Sequence, residues 1–296
     1  SDAPPLWERC EGTEAIARVL EIDQSPIGKN PRSCPATYVG LWDEVRALYA
    51  RTVDARALGY GVAQFSYNTK AGACPHCEGQ GVVHLEMQFL PDVHVPCEVC
   101  GGRRYAESVE AVRWQGRSVG DLLALTVSEA RPLFVSHPRI DRALRLLDEV
   151  GLGYLALGQP SPTLSGGEAQ RLKLVSELAR AEARRSLPTL YILDEPTVGL
   201  HEEDVARLLQ TLDRLVAAGH SALVIEHNLD VVAAADWVID LGPGGGPAGG
   251  RVVGAAPPQR IRRLRTATGR ALDAYCGGTD APISDATAPE RLSSGR

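Results

Sequence analysis

Residues 189–196 read TLYILDEP: four consecutive apolar residues, Leu190 to Leu193, run straight into Asp194 and Glu195. A short, continuously apolar run is the mark of a strand buried on both faces, as in a parallel sheet. Downstream, Glu202 to Ala218 places Val205, Leu208, Leu209, Leu212, Leu215 and Val216 on one stripe of an amphipathic helix that stops at Gly219. Ala222 to Ile225 then reads as a second buried strand, followed by Glu226, His227 and Asn228. Strand, helix and strand of this length make a βαβ unit, so the fold class is α/β.

The pattern extends outward in both directions. Upstream, residues 168–183 are predicted helical, and Leu164-Ser165-Gly166-Gly167-Glu168 (LSGGE) opens that helix. Val19 to Ile22 is a further predicted strand, ending at Asp23-Gln24. Helices are expected over 41–58, with Leu41, Val45, Leu48 and Tyr49 on one face, and over 118–150. Downstream, Trp237 to Leu241 and Arg251 to Val253 read as two more strands around a glycine-rich loop. Residues 257–270 are arginine-rich, and the Ser/Ala/Gly/Pro-rich remainder, 271–296, is predicted disordered.

Three of these boundaries carry possible chemistry. Ser165 with Glu168 forms a capping box, and Gly166 and Gly167 leave backbone N–H groups at a helix N-terminus, a site suited to phosphate. An ordinary capped helix reads the same way. Asp194 and Glu195 stand at the C-terminal end of a buried strand, where α/β sheets bind ligands. There Asp194 can hold Mg²⁺ through water and Glu195 can take a proton from an attacking water. Two solvated acids are the plainer alternative. His227 can donate a hydrogen bond to a terminal phosphate or serve only the structure.

Four of the seven cysteines are grouped: Cys74 and Cys77, nineteen intervening residues, then Cys97 and Cys100. Two C-x2-C knuckles supply the four soft ligands of tetrahedral Zn²⁺, and glycines after each pair allow tight turns around sulfur. His76, His84 and His94 lie nearby, but four thiolates already close a site, so the expected zinc is structural. Disulfides and a redox dithiol are the alternatives. Arg103, Arg104 and Tyr105 follow the second knuckle and could touch phosphate and stack on a base, or form a solvated edge.

Composition narrows the class. Of 296 residues, 44% are apolar and 23% charged, enough for a real core. No apolar run suits a membrane helix, and the first residues lack the basic and apolar regions of a secretory leader; a cytoplasmic location is expected. The net charge of −6 argues against attachment to nucleic acid by bulk charge alone.

Taken together, DQSPIGKNPRSCPATY (23–38), the cysteine module, EMQFLPDVHVPCEVCGGRRY (86–105), GLGYLALGQPSPTLSGGEAQRLKL (151–174), LYILDEPTVGLH (190–201) and VIEHNLDVV (224–232) resemble the UvrA family. These are the damage-recognition ATPases of bacterial nucleotide excision repair, and the resemblance runs from about Glu11 to about Pro258. It implies a partial ABC-type, P-loop NTPase-like nucleotide-binding domain. An inserted α-helical signature region and a four-cysteine zinc module would interrupt that domain. The implied organisation is a Q-loop segment over 1–40, the insertion over 41–163 with zinc at 74–100, an ATPase core over 164–256, and a basic then disordered tail over 257–296.

The resemblance also implies roles. Gln24 matches the Q-loop glutamine. Ser165, Gly166, Gly167 and Glu168 match the signature that contacts ATP held by an opposing half. Asp194 matches the Walker B aspartate, Glu195 the catalytic base and His227 the switch histidine. Gly199 and His201 fall in the D-loop, with Val198 where a small hydroxyl residue is usual. Cys74, Cys77, Cys97 and Cys100 match zinc ligands. Implied partners are ATP with Mg²⁺, double-stranded damaged DNA, UvrB and a second copy of the full-length protein. One departure is large. No G-x-x-x-x-G-K-[ST] occurs in the 296 residues, so the amide cradle for the β- and γ-phosphates is missing from them. The expectation is a C-terminal fragment that does not hydrolyse ATP at a normal rate alone. A UvrA-like drug-resistance ATPase and a non-hydrolysing zinc module for binding DNA or a partner remain open alternatives.

Overall fold

A computed structural model describes residues 11–28, 30–85, 93–183, 187–244 and 249–277. The described residues fall into two compact units, one up to Ile225 and one from Glu226.

The first unit is organised by a three-stranded parallel sheet. Strand β1 (Arg18–Ile22) and, after the cysteine module, β4 (Thr189–Asp194) and β5 (Ser221–Ile225) lie in the order β1-β4-β5. The register sets Ile22 opposite Leu193 and Asp194 opposite Ile225, so all three strands finish at one edge. That edge receives Asp23-Gln24 from β1 and Asp194-Glu195 from β4. Tyr191 and Leu193 are buried in the middle strand. Strand β5 departs from its expected character: Leu223 and Ile225 are 45% and 55% exposed. It is an outer strand, and only its Ala222 and Val224 face packs against the core.

Helices fill the interval between β1 and β4. They are α1 (Pro35–Tyr38), α2 (Leu41–Ala50), α3 (Val53–Ala57), α4 (Glu107–Glu110), α5 (Val119–Ala124), α6 (Val127–Ala130), α7 (Pro138–Glu149) and α8 (Gly166–Ala183). The single helix expected over 41–58 is two. Thr52 breaks it, its hydroxyl accepting the Ala55 N–H at 3.2 Å and so starting a new helix. Helix α7 buries Ile140, Ala143, Leu144, Leu146 and Leu147 on one stripe, as its 3.6-residue period demands. Helix α9 (Glu202–Ala217) joins β4 to β5 and buries Val205, Leu208, Leu212 and Leu215, whereas Val216 is exposed.

Between α3 and α4 a small antiparallel pair, β2 (Val82–Leu85) and β3 (Val93–Pro96), stands beside the cysteines. The second unit carries α10 (Leu229–Ala234), the antiparallel pair β6 (Val238–Gly242) and β7 (Arg251–Ala256), α11 (Pro258–Ile261) and α12 (Ala267–Tyr275). Ala256, Ile261 and Leu272 form its core. Helix α12 corrects the reading of 271–296 as disordered. Residues 271–275 are helical because Thr266 caps the segment, accepting the Gly269 N–H at 3.0 Å, and Leu272 is fully buried. Residues 278–296 lie outside the described residues. No helix among the described residues is long and apolar enough to cross a membrane.

Candidate functional site

The strand ends, not the helix alone, build the first candidate site. Ser165 and Glu168 form the expected capping box: the Ser165 N–H donates to Glu168 Oε2 at 2.7 Å, and the Glu168 N–H donates to Ser165 Oγ at 3.3 Å. Glu168 is partly buried, which raises its pKa. The Tyr154 hydroxyl, donating to Oε1 at 2.7 Å, and the Ser165 contacts nevertheless hold the carboxyl below its usual range. The expected bare helix start is more crowded than the motif suggests. A Cβ added at Gly166 would stand 3.1 Å from Gln24 Oε1, and one at Gly167 would stand 3.0 Å from the Val198 carbonyl. A side chain at either position would push its neighbour by a few tenths of an ångström, so the glycines suit the close approach of these segments.

Gln24 reaches the same place from β1, its Nε2 donating to the Asp194 carbonyl at 3.4 Å. Asp194 and Glu195 are exposed. Glu195 takes φ +44°, the left-handed region that costs a non-glycine residue roughly 1–2 kcal/mol. Its N–H still donates to the Ile225 carbonyl at 2.9 Å, so the ladder holds the turn in place. The structure thus gathers Gln24, the glycines of the capping box and Asp194 at one end of the sheet. His227 is exposed in the second unit, its N–H donating to Glu226 Oε2 at 3.0 Å.

Two supporting residues escaped the sequence reading. Gln170, 1% exposed, donates from Nε2 to both the Ile22 and the Asp194 carbonyls at 2.8 Å, tying helix α8 to the ends of β1 and β4. Lys173, one turn further along α8, pairs with Asp23 and donates to Ser25 Oγ at 2.7 Å. The hydrogen bonds that the Asp23 carboxylate accepts from Lys173 and, at 2.7 Å, from the Ser25 hydroxyl lower its pKa to about 2. A polar residue between Ala169 and Leu172 on a buried helix face was the available signal for Gln170.

The second candidate site is the cysteine cluster. The four sulfurs lie within 4.8 Å of one another, with Cys74 to Cys97 at 4.0 Å and Cys77 to Cys100 at 3.7 Å. A tetrahedral ion with Zn–S bonds of about 2.3 Å sets its sulfurs roughly 3.8 Å apart, so the set fits zinc. Burial raises the Cys77 thiol and pushes Cys100 up to about 12. A bound cation would reverse that preference by taking thiolates directly. The knuckle needs its glycines: Gly79 has φ +81°, and a Cβ there would fall 1.9 Å from the Tyr67 carbonyl.

Arg104 and Tyr105 correct the expected nucleic-acid contact. They are 3% and 1% exposed. The Tyr105 hydroxyl donates to the Phe65 carbonyl and accepts from Trp42 Nε1, both at 3.0 Å, so its ring is core. Arg103 alone of the three stays solvent-facing, near Glu110.

The first unit is thus a mixed α/β unit with a four-cysteine cluster inserted between β1 and β4. No protein-family model matches the chain. It is 55% identical over 269 residues to the UvrABC system protein A of Thermus thermophilus, covering 91% of this chain and 28% of that protein. The Aquifex aeolicus protein of the same name is 51% identical over 90% of this chain and 29% of its own length. The crystal structure of UvrA2 from Deinococcus radiodurans superposes with a TM-score of 0.81 at 48% identity, covering 89% of this chain and 32% of that one. The chain belongs to the UvrA family, and it spans under a third of the length of these relatives.

Proposed function

We propose that this chain supplies part of a nucleotide-binding half of a UvrA-like ATPase that recognises damaged double-stranded DNA in excision repair and hands it to UvrB. The convergence of Gln24, Ser165–Gly167 and Asp194 on one sheet edge carries this reading. In it, Gly166 and Gly167 present backbone N–H groups, and Ser165 its hydroxyl, to an ATP phosphate held by the opposing half of a dimer. Asp194 and Gln24 offer the hard oxygens that would hold Mg²⁺, which supplies charge neutralisation on the phosphates when bound. Glu195, exposed and fixed by the strained turn, accepts the proton of the attacking water. His227, two residues beyond the end of β5, donates to the γ-phosphate. Cys74, Cys77, Cys97 and Cys100 hold a structural zinc.

The 296 residues contain no phosphate loop, so hydrolysis needs one contributed from outside them. The same observation favours a second reading, a zinc module that binds DNA or a partner without turnover. Glu195→Gln separates them. With a phosphate-loop segment supplied, that substitution is expected to lower the hydrolysis rate by about 10²–10⁴-fold while ATP binding persists. Undiminished turnover in the variant would remove Glu195 from the mechanism, and no turnover with the wild-type chain would favour the second reading.

A further inference from the structure

We propose that Arg32 and Arg104 latch the four-cysteine module to the two loops that lead to Gln24 and to Ser165, and so act as positioning residues for the site at the strand ends. The role of that site rests on the function proposed above; the latch itself rests on geometry.

Arg104 belongs to the module, since its carbonyl accepts the Cys74 N–H at 2.8 Å. Its side chain leaves the module. Nη2 donates to the Gly158 carbonyl at 2.8 Å and Nη1 to the Arg32 carbonyl at 3.4 Å, while the guanidinium lies 5.1 Å over the Tyr67 ring. Gly158 stands seven residues before Ser165, and Arg32 eight residues after Gln24. Arg32 completes the circuit in the other direction. Its Nε and Nη2 donate to the carbonyl of Glu78, inside the first knuckle, at 3.1 and 2.7 Å. Tyr67 braces both ends: its hydroxyl donates to the Arg32 carbonyl at 3.0 Å, and its own carbonyl faces Gly79 of the knuckle. The Ser161 N–H donates to the Ser33 carbonyl at 2.8 Å, so the two loops are also joined to each other.

A guanidinium buried among carbonyls and a ring is costly to desolvate, and an apolar side chain would fill the same space more cheaply. What the arginine adds is direction: a planar fork that grips two separate loops at once. Metal occupancy of the knuckles then sets the order of the loops that bear the strand-end residues.

Hydrogen exchange on the full chain, zinc-loaded and chelator-treated, tests this. In the zinc-loaded wild type, residues 30–34 and 156–166 are expected to be protected, and chelation is expected to release them together with the cysteine knuckles, 74–81 and 96–101. In zinc-loaded Arg104→Gln, those two loops should exchange about tenfold faster, the scale of one lost hydrogen bond, while the knuckles and helix α7 keep their protection. Arg32→Gln, at a half-exposed position, gives the same result with little risk to folding. In the double variant, chelation should release the module alone. Loops unchanged in the variants would overturn the latch. So would loops indifferent to chelation in the wild type, or faster exchange spread across α7 and the sheet, which marks a merely structural role. The readout involves no ATP, so the nucleotide reading can fail while the latch stands.

Discussion

The cysteine module and the strand-end site solve opposite problems of assembly. All four sulfurs come from residues 74–100, and the chain folds them to within 4.8 Å of one another with glycine turns and a two-stranded ribbon. The strand-end site gathers Gln24, Ser165–Gly167 and Asp194 from positions 170 residues apart, brought together by the parallel register of β1 and β4 and by the Gln170 tie from helix α8. One site is local and largely buried, four thiols that could hold a metal ion. The other is distributed, exposed and lacks a phosphate loop within the sequence. The first should answer to its metal, the second to the helix and strands that align it.

The largest difference should appear on removing a ligand. Cys97 is fully buried, and Cys97→Ala is expected to take zinc content from one ion per chain to none. A structural zinc contributes on the order of 10 kcal/mol of apparent binding energy, so residues 74–85 and 93–100 should lose their order. Helix α7 and strand β4 should keep theirs. Metal analysis with hydrogen exchange measures both, and retained zinc would mean that Cys97 is not a ligand. A smaller effect is expected at the distributed site from Gln170→Leu. The Ile22 and Asp194 carbonyls each lose a buried donor, a cost of about 1–3 kcal/mol, read as a lower urea midpoint with unchanged zinc content. An unchanged midpoint would mean that Gln170 does not align the strands.

The smallest effect concerns pH. The Lys173 and Ser25 hydrogen bonds lower Asp23 from 3.8 to about 2 in the folded chain. A lowered carboxylate stabilises the fold above its ordinary value and loses that contribution as pH falls toward 2. The Asp23 side chain is half-exposed, so solvent screening limits the contribution to about 0.5 kcal/mol. Lys173→Met should return the Asp23 titration, followed by NMR, toward 3.8 and flatten stability over that window. An unmoved titration would assign the shift elsewhere.

What the sequence made legible follows the same division. The C-x2-C pairs and the apolar runs before Asp194 and after Ala218 are short-range patterns, and the structure holds a four-cysteine cluster and parallel strands there. Periodicity does not report which sheet face is covered, so the exposure of Leu223 and Ile225 was not readable. Nor does residue type reveal direction. Arg104 and Tyr105 look like a nucleic-acid contact after a knuckle, yet Tyr105 hydrogen-bonds into the core and Arg104 turns inward to carbonyls. Thr52 and Thr266 show the local version of this limit, since each hydroxyl starts a helix where composition suggests continuation or disorder.

We propose that the strand-end residues form one side of a shared nucleotide site. Binding of Mg-ATP by the zinc-loaded chain, alone and mixed with a polypeptide carrying the phosphate-loop half of a UvrA-family protein, tests it most directly. Binding should be negligible alone and saturable in the mixture, and weakened when Ser165 is replaced by arginine. Tight binding by the chain alone, or a mixture indifferent to Ser165→Arg, would contradict it.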